Sequence, residues 1–398
     1  MNSANSAETV AHTPAAGSKE PYFRVLLAAF TAAYGIGLLS LIALPFVIGA
    51  NIASLGLDAA QAGLLGTLEF VGVVAASMLL APRVGHINRR TTAMIGAAIV
   101  VAANLVCSLV DSYDLLLFIR PITGIGAGLA LAPGNATVAT ARNPERFAGH
   151  MSVLFVILMV AVMFGFAYLS ENHGQTGVYL GLAATVALLA PSLVWLPAGA
   201  RTAAVSNELA EAKKGIWSAG GIAVMLAVFC FSTRDTMTWA FAETTGKAAG
   251  LSPAEVGQIL GIQAAIGLIG PLLASWMGSH FGLRLPLVIG ILASGTATLF
   301  LSQSASDPTL FTASAMALTG TYFFTLSYLT ALAAELDAEG RIVAATGSAV
   351  MAGLAVAPLI AGHMLTAGGS AAIGIAIAVL MAATLIAALV ACTMRSHP

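Results

Sequence analysis

Long apolar runs separated by short polar breaks fill most of this sequence of 398 residues. A helix needs about 20 mostly apolar residues to cross a bilayer. Only 8% of the residues are charged, whereas a soluble domain has about 25%. We therefore predict an all-α membrane protein with twelve transmembrane helices, at approximately 23–48, 59–82, 92–111, 114–139, 147–170, 177–196, 217–244, 254–279, 285–303, 309–334, 342–365 and 370–393.

The Lys and Arg residues indicate how these helices cross the membrane, because cytoplasmic loops carry an excess of them. If the N-terminus is cytoplasmic, Lys247 alone lies on the opposite side, and Arg120 and Arg234 lie within helices. The other thirteen of the sixteen fall at cytoplasmic ends and loops: Lys19, Arg24, Arg83, Arg89, Arg90, Arg142, Arg146, Arg201, Lys213, Lys214, Arg284, Arg341 and Arg395. This pattern predicts a multi-pass protein of the cell membrane with both termini cytoplasmic.

The longest polar internal segment lies between the sixth and seventh apolar runs. It divides the chain into two halves with six predicted helices each. The predicted units are a disordered cytoplasmic tail at 1–20, an N-terminal half at 21–197, a cytoplasmic linker at 198–216 and a C-terminal half at 217–398.

The composition excludes several functions. A net charge of −1 provides no basic face to neutralise phosphates, so nucleic acid is not an expected partner. The three cysteines lie singly and the histidines lack ligand spacing, so neither a metal nor another cofactor is expected. The sequence has no Walker motif, so ATP is not the expected energy source. The expected partners are a small-molecule substrate, protons and membrane lipid, and the chain is expected to be a monomer.

Glu69 lies in the middle of the second run, roughly 15 Å from its outer end at about 1.5 Å per residue. A carboxylate at that depth is costly unless it faces protein or a water-filled cavity. We predict that it carries a proton, with a structural role between helices as the alternative. Gly63 and Glu69 recur as Gly257 and Gln263 at a constant offset of 194 residues. Such weak similarity is typical of internal repeats.

Arg120, Arg234 and Asp235 lie in the outer half of the predicted membrane, near the layer of Glu69. Charges in such a layer are expected to pair with each other or with substrate. Asp235 is a second candidate for proton coupling, while both arginines and Gln263 are candidates for substrate binding. Arg234 and Asp235 are about 100° apart on a helix, so they are predicted to point in different directions. A structural role is the alternative for both arginines.

Several aromatic and polar side chains in the runs could line a cavity. Tyr34, Tyr322 and Trp239 could stack on a solute or bind it by hydrogen bonds, and we predict that they bind substrate. Asn104 belongs to the same group, and a packed or interfacial role is the alternative for each. Glu243 lies at the end of the seventh run and is expected to reach the outer surface.

Two local patterns resemble those of the major facilitator superfamily of secondary transporters. The loop APRVGHINRR at 81–90 keeps the arginine pair and one glycine of that family's loop, but it lacks the aspartate. Residues 120–128, RPITGIGAG, resemble the family's fourth-helix motif of an arginine followed by spaced glycines. The resemblance implies twelve helices in two pseudo-symmetric halves and a conformational role for Arg89 and Arg90. Gly124 and Gly128, four residues apart, are predicted to pack closely against another helix.

We therefore expect a secondary active transporter, not an enzyme, that moves a small organic solute by alternating access in symport with protons. The two arginines suggest an organic or aromatic anion. Proton-antiport efflux of drugs or toxic metabolites is the alternative, although the fifth run, SVLFVILMVAVMFGFAYL, lacks the proline of the drug-antiporter motif. A membrane enzyme or a sensor is disfavoured, because the sequence has no evident nucleophile–base set and no soluble output domain.

Overall fold

The computed structural model describes residues 21–141, 143–199, 218–278, 280–337 and 341–394, and within these ranges the regular structure is helical. The predicted tail at 1–20 and the linker from 200 to 216 lie outside the described residues. The twelve helical spans are α1 (22–55), α2 (Ala59–Leu80), α3 (Arg89–Cys107), α4 (Tyr113–Ala139), α5 (144–173), α6 (175–189), α7 (Ala219–Ala240), α8 (253–277), α9 (Arg284–Gln303), α10 (Pro308–Leu336), α11 (341–367) and α12 (370–393).

Two pairs of spans are joined without a loop. The helix Pro144–Leu189 turns at Gly174, where φ is 53°, and the helix Arg341–Thr393 turns at Gly368 and Gly369, where φ reaches 59° at the second glycine. Glycine adopts positive φ readily because it lacks a Cβ. Seven described helices are long and apolar enough to cross a bilayer, and these two contain two spans each. The prediction of twelve helices in two halves is confirmed, in the predicted order.

Helix α1 is irregular near its middle. An α-helix, Tyr22–Phe30, continues as a π-helix, Thr31–Gly37, and two further α-helical pieces, Leu39–Ile42 and Leu44–Leu55, complete the span. Gly37 lies against Leu131 of α4, where a Cβ would overlap the Leu131 side chain. π-Helical turns are rare and are frequent at functional sites. In this chain the π-helix positions Tyr34 toward the space between the halves.

The two halves, α1–α6 and α7–α12, meet through two equivalent crossings, α2 with α11 and α8 with α5. Gly63 of α2 lies against the Pro358 carbonyl, and Gly257 of α8 lies against Met163 and Ala167. Both α2 and α8 begin with a capping box, on Asp58 and Ser252 respectively. In each box two backbone N–H groups at the helix start donate to side-chain oxygens. The repeat offset seen in the sequence therefore corresponds to equivalent positions in the two halves.

The bundle has two ends, because consecutive spans run in opposite directions. We call the end that carries the start of α1 and the end of α12 the terminal end, and the opposite end the far end. The Trp239 indole donates a hydrogen bond of 2.9 Å to the Leu41 carbonyl across the halves. Two further hydrogen bonds join α2 to α11, from Leu359 N to Thr67 Oγ1 (3.0 Å) and from Ala60 N to Thr366 Oγ1 (3.2 Å). All three lie between the middle and the far end.

Helices α2 and α4 pack closely because α4 presents glycines to α2. Gly124 lies against the backbone of Glu69 and Val73, and Gly128 lies against Val73 and Ser77. Without side chains at these positions the two backbones approach each other directly, as at other small-residue crossings in membranes. This approach holds the middle of α2, including Glu69, against α4.

We predict that Gly124→Ala destabilises the protein, because its Cβ would overlap the Glu69 carbonyl. The expected loss is about 1–3 kcal/mol, typical of overpacking. Gly165→Ala is the matched control, since a Cβ at that position of α5 would have no neighbour within 4 Å. Thermal unfolding in detergent, followed by tryptophan fluorescence, measures both variants. Equal midpoints for the two variants would contradict the assigned packing.

Candidate substrate cavity and buried ion pairs

A cavity of about 320 Å³ lies between the two halves. It is lined by residues from both halves, on α1, α5, α7, α8, α10 and α11. Its aromatic lining residues are Tyr34, Phe155, Trp239, Tyr322 and Phe323. The rings of Tyr34 and Phe155 have centroids 5.0 Å apart, and Tyr322 stacks on Phe231 at the same distance of 5.0 Å. The walls of the cavity are therefore mainly aromatic and apolar.

The cavity opens toward the terminal end. Its lining on that side includes Ser152, which is exposed, and Leu326 and Val350, which are half-buried. At its deep side Met159 and Gln263 are buried. Beyond them, the hydrogen bond between Trp239 and Leu41 closes the route to the far end. In this state the halves are thus joined at the far end and parted at the terminal end.

Two oxygen acceptors at the buried part of the lining have no donor among the described residues. They are Asp235 Oδ1 and Gln263 Oε1. The amide nitrogen of Gln263 donates to the Thr319 hydroxyl at 2.5 Å, and the other oxygen of Asp235 is bound by Arg234. Buried acceptors without donors are rare in proteins because losing hydration costs free energy. A solute with N–H or O–H donors that reached these buried atoms would supply the missing hydrogen bonds.

Arg234 does not line the cavity. Its side chain is completely buried, and its Nε and Nη2 donate to Asp235 Oδ2 at 3.1 and 2.6 Å. Nη2 also donates to the Ser294 hydroxyl of α9 at 2.8 Å. The prediction that Arg234 and Asp235 differ in direction agrees with Asp235 alone lining the cavity, but it did not anticipate that their charged groups pair with each other. The two Cβ atoms diverge, but the arginine side chain is long enough to reach its neighbour.

Glu69 and Arg120 form a second buried ion pair, between α2 and α4. The Arg120 guanidinium donates to Glu69 Oε2 and, at 3.2 Å, to Asn104 Oδ1 of α3. It also lies over the Tyr179 ring of α6, 5.1 Å from its centroid. The Tyr179 hydroxyl exchanges hydrogen bonds with the Asn51 amide. These partners all belong to the N-terminal half, and neither charged residue lines the cavity.

The structure brings together five of the predicted site residues at the cavity: Tyr34, Asp235, Trp239, Gln263 and Tyr322. Glu69, Arg120 and Arg234 are instead held in ion pairs inside one half. Sequence reasoning missed Thr319 and Phe155, which line the cavity, and Tyr179, which packs on Arg120. The one available signal for Thr319 was a polar side chain in an apolar run, and nothing in the sequence paired it with Gln263.

Arg89 and Arg90 anchor the loop after α2 to the terminal end of the N-terminal half. Arg89 is buried and donates to the Ala136 carbonyl (3.5 Å) and the Thr140 hydroxyl (3.2 Å) at the end of α4. Arg90 donates to the Leu196 carbonyl at 3.0 Å. A cation at a helix C-terminus is stabilised by the unpaired carbonyls there. In a loop that lacks the aspartate, the helix end supplies the acceptors for Arg89.

Glu243 is buried, contrary to the expectation that it reaches the outer surface. It lies on a short helix, Ala242–Ala248, that follows α7 after a change of backbone direction at Phe241. The expectation failed because it placed Glu243 on a straight continuation of α7.

The comparison with known families now identifies the chain. A sequence model of the Major Facilitator Superfamily matches residues 25–223 and 224–398, which together span almost the whole sequence. The chain belongs to the major facilitator superfamily. The two matched segments correspond to two helical halves, as in the structure. As a member of this superfamily the protein is a multi-pass membrane protein and a secondary transporter, not an enzyme.

Solved superfamily structures share this architecture. A bacterial homolog of the human lysosomal transporter Spinster, in an inward-facing and unoccupied conformation, has 17% identity and a TM-score of 0.77 over 96% of this chain and 100% of that chain. The nucleoside transporter NupG has 12% identity and a TM-score of 0.75 over 95% of this chain and 100% of that chain. At such identities the likeness shows the fold alone. A search of curated protein sequences gave no match.

We predict that Arg120→Met lowers the stability of the protein by about 3–5 kcal/mol, because it leaves Glu69 buried without its ion-pair partner. The double variant Glu69→Leu/Arg120→Met removes both charges and should recover most of the loss. Thermal unfolding of the purified variants in detergent measures the difference. A double variant as unstable as the single one would show that shape, and not charge pairing, makes Arg120 important.

Proposed function

We propose that this transporter moves a small amphipathic solute that is neutral or cationic and carries hydrogen-bond donors. The lining of the cavity carries the proposal, since it combines aromatic walls with two unpaired acceptors, Asp235 Oδ1 and Gln263 Oε1. A cavity of about 320 Å³ lies at the lower end of the range of small-molecule sites. An amide, amine or hydroxyl group would bind at the acceptors while the rest of the solute stacks on the aromatic side chains.

An anionic solute, which the two arginines suggested, is disfavoured by their surroundings. The Arg120 charge is neutralised by Glu69 and the Arg234 charge by Asp235. The lining residues include no Lys or Arg. An anion in the cavity would therefore lie near the Asp235 carboxylate and find no unpaired cation among the lining residues, which is unfavourable at low dielectric.

Asp235 and Glu69 are the proposed proton carriers. Asp235 lines the cavity, so water entering from the terminal end can deliver a proton to it. Glu69 Oε1 has no hydrogen-bond partner among the described residues. Proton uptake by either carboxyl would weaken its hold on the neighbouring arginine, Arg234 or Arg120. That change would bias the balance between the two conformations of the halves.

The terminal end is proposed to face the cytoplasm. Its described loops and helix ends carry the excess of arginine that marks cytoplasmic loops, whereas Lys247 lies at the far end. The cavity then opens inward in this state, in a chain proposed to act as a monomer. Uptake in symport with protons is the preferred direction. The aromatic and apolar lining also suits efflux by proton antiport, which is therefore the second candidate.

We predict that three naphthalene derivatives of similar shape, which differ in charge, distinguish the class of solute that the cavity binds. At equal concentration, 2-naphthamide and 2-naphthylmethylamine should raise the thermal unfolding midpoint of the purified protein, whereas 2-naphthoate should not, because a ligand stabilises only the state that it binds. Gln263→Leu removes one acceptor and should abolish the shift with the amide. Gln258→Leu, on an exposed position of the same helix, is the control. The largest shift with 2-naphthoate would contradict the proposed class.

We predict that a pH gradient across proteoliposomes drives the accumulation of 2-naphthamide, a neutral probe that pH alone cannot trap. Accumulation in the alkaline compartment would indicate symport, and in the acidic compartment antiport. Asp235→Asn and Glu69→Gln should reduce gradient-driven accumulation at least tenfold but leave exchange without a gradient. Glu255→Gln, an exposed carboxylate near the start of α8, should behave as the wild type. Wild-type accumulation of 2-naphthamide by both Asp235→Asn and Glu69→Gln would refute the proposed carriers.

A further inference from the structure

Glu243 is a buried carboxyl group that the proposed function does not use. Its side chain has no solvent exposure, and neither carboxylate oxygen accepts a hydrogen bond from the described residues. Lys247 Nζ lies 3.6 Å from Oε1, beyond hydrogen-bonding distance, and its side chain is 38% exposed. A carboxylate removed from water without donors is costly, and a half-exposed ammonium at this distance only partly replaces them.

The group that covers Glu243 belongs to the opposite half of the protein. Gly49 of α1 lies directly against the Glu243 carboxyl group, so close that a Cβ at Gly49 would overlap it. Glu243 therefore lies in the junction between α1 and the short helix after α7, near the far end. Its contact with Gly49 exists only while the two halves meet there.

Few charged groups surround this junction. The short helix packs against α1, α7, α8, α9 and α10. Lys247 on the same short helix is the ion-pair partner of Glu243. Of the other charged groups on these elements, Arg24, Arg284 and Glu335 lie at the terminal end. The remaining ones are engaged elsewhere: Arg234 and Asp235 bind each other, Glu255 caps α8 at Ser252, and Asp307 caps α10. The state of Glu243 is thus governed by its burial against Gly49 and by Lys247.

We propose that Glu243 is a proton-binding site that closes the far end of the transporter. In the closed state a protonated, uncharged carboxyl group fits against Gly49, whereas parting of the halves would give an ionised carboxylate its hydration. The closed state therefore binds a proton more tightly than the open state, and by linkage low pH favours closure and high pH favours opening. The inference relies on the alternating access of the proposed function, but not on its solute or on proton carriage by Asp235 and Glu69.

A distance measurement tests this site without any solute. Spin labels are attached to Ser112→Cys and Ser306→Cys, exposed far-end positions in the two halves, after Cys107, Cys230 and Cys392 are replaced by alanine. Pulsed electron paramagnetic resonance then gives the ratio of open to closed protein in detergent between pH 5 and pH 9. In the wild type this ratio should rise with pH, by up to about tenfold per unit for a single proton.

The variants determine whether Glu243 is the group responsible. Glu243→Gln should stay closed and lose the pH dependence, Lys247→Met should move the transition to higher pH, and Glu255→Gln should match the wild type. If Glu243→Gln does not fold, Gly49→Ala tests the junction from the other half and should raise the open fraction at every pH. The proposal is overturned if the wild type shows no pH dependence, if Glu243→Gln keeps that pH dependence, or if Gly49→Ala does not raise the open fraction. If the wild type closes with pH as expected but does not transport 2-naphthamide, that result counts against the proposed function and not against this site.

Discussion

The arrangement of this protein depends on pairing its buried charges. A lone charge in the middle of a membrane protein is costly, so Arg120 and Arg234, which are buried within the spans, each lie beside a carboxylate. The Arg120–Glu69 pair lies within the N-terminal half, and the Arg234–Asp235 pair lies within the C-terminal half. The halves can therefore part at one end and join at the other without separating either ion pair.

The interface between the halves consists of weaker contacts. Glycines such as Gly63 and Gly257 let helix backbones meet directly, and the hydrogen bonds across the described interface come from Trp239, Leu359 and Ala60. Each such bond contributes about 1 kcal/mol, far less than the loss on breaking a buried ion pair. An interface of this kind can open and close at modest free-energy cost, which alternating access requires.

The sequence predicted the helices well because apolar length and charge position are local properties. It also placed Glu69, Arg120 and Arg234 near one layer, because depth follows from counting residues along a helix. It did not predict the partners of these groups. Arg234 reaches Asp235 because its side chain is long, and Arg120 is covered by Tyr179, whose position depends on how α6 packs. Such contacts are set by the packing of helices distant in sequence.

The surroundings of each carboxyl group determine how it can respond when the halves move. Glu243 lies against Gly49 of the opposite half, so separation of the halves there would change its hydration directly. Glu69 has its hydrogen-bonded and ionic partners inside the N-terminal half, so rigid movement alone leaves it unchanged. The proposed coupling at Glu69 would then pass along α2, where Gly63 and Thr67 contact α11 within two turns of it. Protonation that loosens α2 from α4 would alter that crossing, and the crossing belongs to both halves.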